Sequence, residues 1–143
     1  MKELSPQQSE NIEALAEQAN VLIDQDNFKQ AHECILKALE IIPEPKNSYG
    51  EATWLYATQG DIYFLTDDYK QALLSFTEAV QCPEGLGNPF IHLRLGECQF
   101  ECGNMDRSAD ELIRAYMSEG LEIFELEDPK YFEFLKTRAD IKD

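Results

Sequence analysis

The sequence predicts an all-α fold built from repeated helix pairs, and three observations carry that expectation. Apolar residues recur at spacings of three and four along nearly the whole chain, with no stretch of strict alternation. Prolines, glycines and Asp/Asn clusters punctuate that pattern at intervals suited to helices joined by short turns. Finally, three stretches line up with one another at their small and large side chains.

Each element has its own signals. Ser5 and Pro6 form a helix start, and Ser5 to Gln8 has capping-box spacing, so a first helix is expected over 6–25, ending at "DQDN". A second is expected over 28–42, stopped by Pro43 and Pro45, with "PEPKNSYG" as loop. A third over 49–65 turns at "TDD" into a fourth over 69–81. After "CPEGLGN", Asn88 caps and Pro89 opens a fifth helix over 89–102, which Gly103 and Asn104 close. The apolar spacing carries a sixth from Met105 to about residue 126. Asp128 and Pro129 then start a short last helix over 129–140, with Tyr131, Phe132 and Leu135 as its apolar stripe.

The helices pair, and the pairs align. Ala19, Gly60 and Gly96 coincide as the small residue of each first helix, and Asp26, Asp67 and Gly103 coincide at the turn. Phe28, Tyr69 and Met105 follow it, then small Ala31, Ala72 and Ser108, large Ile35, Phe76 and Leu112, and small Ala38, Ala79 and Ala115. A small residue admits a neighbouring helix, and the large residue facing it fills the space between the two. Gly60 sits in "WLYATQGDIYF", where a glycine weakens the isolated helix by about 1 kcal/mol relative to alanine. Packing is the expected compensation.

This alternation resembles the tetratricopeptide repeat, most specifically in "GDIYFLTDDYKQALLSFTEAV". The first unit departs from the pattern with Ala19 for glycine and Leu22 for tyrosine; the third has Gln99 for that tyrosine and lacks the final proline. The resemblance implies a short right-handed superhelix of three helix pairs with a C-terminal capping helix. It also implies a single domain over 1–143, with repeats at 12–43, 53–84 and 89–120 and a capping segment at 121–143. It suggests a small stand-alone bacterial protein of this type.

In that family the first helices of successive pairs line a concave face. The resemblance therefore places Trp54, Asp61, Phe64, Phe90, Glu97, Phe100 and Glu101 in a partner-binding groove, an aromatic strip studded with acid. Large rings offer contact area at low entropic cost, and carboxylates accept Arg or Lys from a partner. Two arrangements stay open: the rings await a partner, or the final helix or the N-terminal residues fold over them as core. Arg94 is expected to pair internally with Glu97 or Asp61. Family members that clamp acidic chaperone tails carry several cationic residues and asparagines along the groove. Only Asn20 and Arg94 match here, with Ala16, Thr58 and Phe90 elsewhere, so such a clamp is not expected.

Charge points the same way. Twelve basic against 28 acidic residues leave a formal charge of −16 over 143 residues, which repels phosphate backbones and anionic lipid surfaces. Nucleic acid and membrane are not the expected partners; a basic protein is. No apolar run suits a transmembrane span, and "MKELSPQQSENIEALAEQ" has no secretory-signal pattern, so a cytoplasmic location is expected. Cys34, Cys82, Cys98 and Cys102 are expected as free thiols.

No motif supports catalysis. Cys98 and Cys102 lie one helical turn apart with His92 upstream, yet no second ligand pair completes a structural zinc site. His32 and His92 are the only histidines available to activate a cysteine, and no phosphate loop, HExxH or GxSxG occurs. No cofactor, metal or catalytic residue is therefore assigned. The expected function is non-enzymatic binding of a basic protein, with an immunity protein that inhibits a bacterial toxin as the leading version. A secretion-system chaperone holding an extended segment, and a homo-oligomeric scaffold, remain alternatives.

Overall fold

Ser5 opens the chain's first helix through reciprocal bonds: the Gln8 backbone N–H donates to Ser5 Oγ (3.1 Å) and the Ser5 N–H to Gln8 Oε1 (2.9 Å). Two donors that a helix start would leave orphaned are thus satisfied. The computed structural model describes residues 1–141. It contains seven α-helices: α1 (Pro6–Asp24), α2 (Phe28–Ile41), α3 (Gly50–Leu65), α4 (Tyr69–Val80), α5 (Pro89–Glu101), α6 (Met105–Glu119) and α7 (Pro129–Lys136). Short 3-10 turns lie at Lys46–Ser48 and Gly120–Phe124, and the described residues contain no strand.

Two helix ends differ from expectation. α6 stops at Glu119 because Gly120 takes a left-handed conformation (φ 75°). The 3-10 turn that follows drives Ile123 and Phe124 into the core. Their spacing mimics a helix, but the glycine ends it. α7 likewise ends at Lys136, short of residue 140.

The chain packs as two units, Met1–Leu86 and the residues from Gly87 onward. In the first, α1 pairs with α2 and α3 with α4. Its core holds Ile12, Ala19, Ile35, Ala38, Leu39, Ile42, Leu55 and Ile62. Gly60 sits so close to Phe76 that an added Cβ would lie 2.6 Å from the ring. In the second unit α5 pairs with α6, and a Cβ on Gly96 would lie 2.6 Å from Leu112. The aligned small and large positions are therefore facing positions. The aligned turns agree as well: Asp26, Asp67 and Gly103 all have left-handed backbones, with φ of 60°, 63° and 84°. Aspartate tolerates that region better than most side chains, so both residue types serve one turn.

Candidate interaction surface

α3 divides its side chains between core and solvent. Thr53, Leu55 and Ile62 are buried, and Tyr56 packs against the core, whereas Trp54 is 54% exposed. Thr53 Oγ1 donates to the Pro83 carbonyl (2.7 Å), pinning the loop after α4 to the start of α3. On the other side the Lys2 N–H donates to the Ser48 carbonyl (2.8 Å), fixing the N-terminal strand-like segment against Tyr49. Between these two rims lies a cavity of about 520 Å³ lined by Glu3, Glu51, Trp54, Pro83 and Glu84, with Lys2 also on its wall.

Further along α3, Asp61 and Phe64 are half-buried, and Phe64 meets Tyr69 edge-on at 5.4 Å. Tyr63 turns inward, its ring edge-on to His32 at 5.0 Å. A polar chain runs beside it: Ser75 Oγ donates to Gln59 Oε1 (3.0 Å), and the Gln59 amide donates to His32 Nε2 (3.2 Å). His32 Nε2 is therefore an acceptor, and burial lowers the pKa of the ring below its ordinary value.

The second unit corrects part of the sequence expectation. Glu97 is fully buried instead of facing a partner, because Arg94 and Glu127 close over it. Arg94 Nη1 lies 2.9 Å from Glu97 Oε1 and 2.8 Å from Glu127 Oε1. Phe100 is half-buried, edge-on to Tyr131 (5.4 Å) and Phe134 (5.3 Å) of α7. Glu101 is held by Lys130, whose Nζ lies 2.6 Å from Oε1. Within this unit, then, the segment from Gly120 onward supplies the occupants. Phe90, at the start of α5, stays 61% exposed. Arg94 pairs with Glu97, one of the two partners expected for it; Glu127 and Lys130 carry no sequence signal, lying about thirty positions from Arg94 and Glu101.

Burial, reinforced by hydrogen bonding with Glu127 and opposed by Arg94, pushes the Glu97 pKa up to about 9. Glu97 therefore holds its proton at neutral pH. A further acid–base pair of the unit, His92 with Glu111, is structural. The Gly87 N–H donates to His92 Nε2 (2.9 Å), leaving the ring proton on Nδ1 for Glu111 Oε2 (2.5 Å). Both ring nitrogens are occupied, and His92 is 3% exposed. None of the four cysteines forms a disulfide, Cys98 is fully buried, and the described residues hold no group of three or more potential metal ligands.

Residues 12–45 match the family model of the tetratricopeptide repeat. The first tetratricopeptide domain of Spaghetti (RPAP3), bound to the HSP90 peptide SRMEEVD, superposes with a TM-score of 0.68 at 16% identity, covering 90% of each chain. The second such domain of human RPAP3, in complex with the HSP70 peptide SGPTIEEVD, gives 0.68 at 12% identity, covering 91% of this chain and 96% of that one. This is a tetratricopeptide-repeat fold. No curated protein sequence matches the chain. The matched repeat is α1 with α2, the unit whose sequence departs from the pattern at Ala19 and Leu22. Its small and large positions still lie in the core, with Ala19 and Ile35 both fully buried in one cluster. No helix among the described residues is long and apolar enough to cross a membrane.

Sequence reasoning reached Trp54 through its place on the first helix of its repeat. It missed Glu3, Glu51 and Glu84. Glu51 lies three residues before Trp54 and so shares its helix face, a usable signal. Glu3 and Glu84 reach the same cavity from two separate loops, and no spacing rule brings them together.

Proposed function

We propose that this chain is a non-enzymatic binding domain for a basic protein partner, taken up chiefly through the acidic, aromatic surface around Trp54. One observation carries this reading: a half-exposed tryptophan lines a cavity whose walls bear three carboxylates. A large ring left in solvent beside charge is the composition of an interaction hot spot more than of a solvated helix face. The formal charge of −16 supports a cationic partner. The two RPAP3 domains hold peptides ending in EEVD. The fold is shared, but this chain carries a formal charge of −16, which would repel such an acidic tail, so it is not the expected ligand. Asp61 and Phe64 extend the surface along α3, and Phe90 is the exposed ring of the second unit.

The finer form of the proposal is an immunity protein that occludes the cationic surface of a bacterial toxin, associating fast and salt-sensitively. Affinity capture at low and high salt, repeated with Trp54→Ala after its fold is checked by circular dichroism, tests the reading. A basic protein should be retained at low salt, released at high salt, and weakly held by the variant. Retention of acidic proteins, or retention indifferent to salt and to Trp54, would refute it. Limited proteolysis of the complex then separates inhibitor from chaperone. A folded, protected partner fits occlusion, whereas a partner digested everywhere except one short stretch fits delivery of an extended segment.

A further inference from the structure

We infer that the cavity beside Trp54 is a receptor for a single arginine side chain of the partner; this rests on the basic-partner reading and gives it a location. The cavity lies wholly within the first unit, and its two rims are fixed before any ligand arrives. The Thr53 hydroxyl holds Pro83, and the Lys2 N–H holds Ser48. A site whose walls are already hydrogen-bonded in place loses little ordering entropy on binding.

The chemistry of the walls selects the ligand. The exposed face of Trp54 accepts a flat cation, and indole is the best of the aromatic rings for that contact. Glu3 comes from the N-terminal segment, Glu51 from the first turn of α3, and Glu84 from the loop that Thr53 pins. Carboxylates from three directions suit a planar group with donors along several edges, and a guanidinium has five such donors in a rigid fork. An ammonium would gain the charge attraction without the stacking or the forked bonds. Lys2 and the Met1 amino group are the cations among the lining residues, against three carboxylates, which leaves carboxylate in excess by one. At about 520 Å³ the cavity is within the range of ligand sites and larger than one side chain requires, so flanking backbone can follow.

Trp54 is the chain's only tryptophan, so its emission reports the site directly. The probe is a short, end-blocked glycine-serine peptide with one central arginine and a terminal dye, compared with a twin carrying neutral citrulline. Arginine peptide should bind by polarisation and change Trp54 emission saturably, with citrulline weaker by about tenfold or more. The triple variant Glu3→Gln, Glu51→Gln, Glu84→Gln should weaken the arginine peptide by a similar factor while keeping its circular dichroism. Should the triple variant fail to fold, Glu84→Gln alone, on an exposed loop, should still weaken binding measurably. Arginine binding that leaves Trp54 emission and the variants unchanged overturns the cavity yet leaves the basic-partner reading intact. Equal affinity for citrulline, or no binding of the arginine peptide, also overturns the cavity, while salt-dependent capture of a basic protein judges the wider reading separately.

Discussion

The Gly60 backbone and the Phe76 ring are so close that a single methyl carbon on Gly60 would stand 2.6 Å from Phe76 Cε2. Phe76 is 1% exposed, so the ring has no solvent-filled space to move into. Alanine at position 60 would gain about 1 kcal/mol of helix propensity but meets an overpacking cost of about 1–3 kcal/mol. Gly60→Ala is therefore expected to lower stability by about 1 kcal/mol in urea unfolding. Adding Phe76→Leu should recover part of that loss, because the two residues share one space. A fully additive double mutant would show that the contact does not limit the site.

Glu97 sets a pH dependence with a definite sign. Its folded pKa of about 9 lies above the ordinary carboxyl value of 4.5, so the folded state holds a proton that the unfolded chain releases between those two values. Its contribution is complete below pH 4.5 and declines as pH rises toward 9. Glu97→Gln removes this titration while keeping the shape. The variant should gain on the parent across that window by up to about 1.4 kcal/mol per pH unit, measured as the difference between two denaturation series. A pH-independent difference would count against the buried proton.

His32 acts in the opposite direction. Burial lowers its pKa, and the Gln59 amide already donates to Nε2, so a second proton there would face a donor. The unfolded chain takes up a proton more readily than the folded one, and stability should therefore fall as pH drops below 6.5. His32→Gln should flatten that slope in the same denaturation series. Retention of the full slope would place the acid sensitivity elsewhere.

Two substitutions in α7 should separate packing from charge. Leu135 is fully buried, and Leu135→Ala is expected to cost about 2–5 kcal/mol in thermal or chemical unfolding. Lys130 pairs with Glu101, but its side chain is 44% exposed, and Lys130→Ala should cost no more than about 1 kcal/mol. If the two costs were equal, the ion pair rather than the apolar stripe would anchor the helix.

The fold was legible because its determinants are local and repeated. Capping at Ser5 and Asn88, helix-stopping prolines, and small–large alternation each act within a few residues, and three copies make the pattern visible. The turns at Asp26 and Asp67 could be placed from the polar clusters around them and their alignment with Gly103, whereas their left-handed backbones appear only in the structure. The end of α6 was not legible, since Ile123 and Phe124 continue the apolar spacing past Gly120. The candidate surface was only half legible. Trp54 follows from its place in the repeat, but Glu97 reads as a surface acid until Glu127, thirty residues later, is folded over Arg94. Long-range closure of that kind leaves no period to detect.

The trio of Arg94, Glu97 and Glu127 has a consequence for the molecule's electrostatics. With Glu97 protonated, one guanidinium balances one carboxylate, and the cluster is electrically neutral. The formal −16 counts Glu97 as ionised, and restoring its proton lowers that magnitude by one at neutral pH. Glu97, buried and protonated, thus adds nothing to the long-range attraction felt by an approaching cation, which arises from the ionised carboxylates elsewhere on the chain.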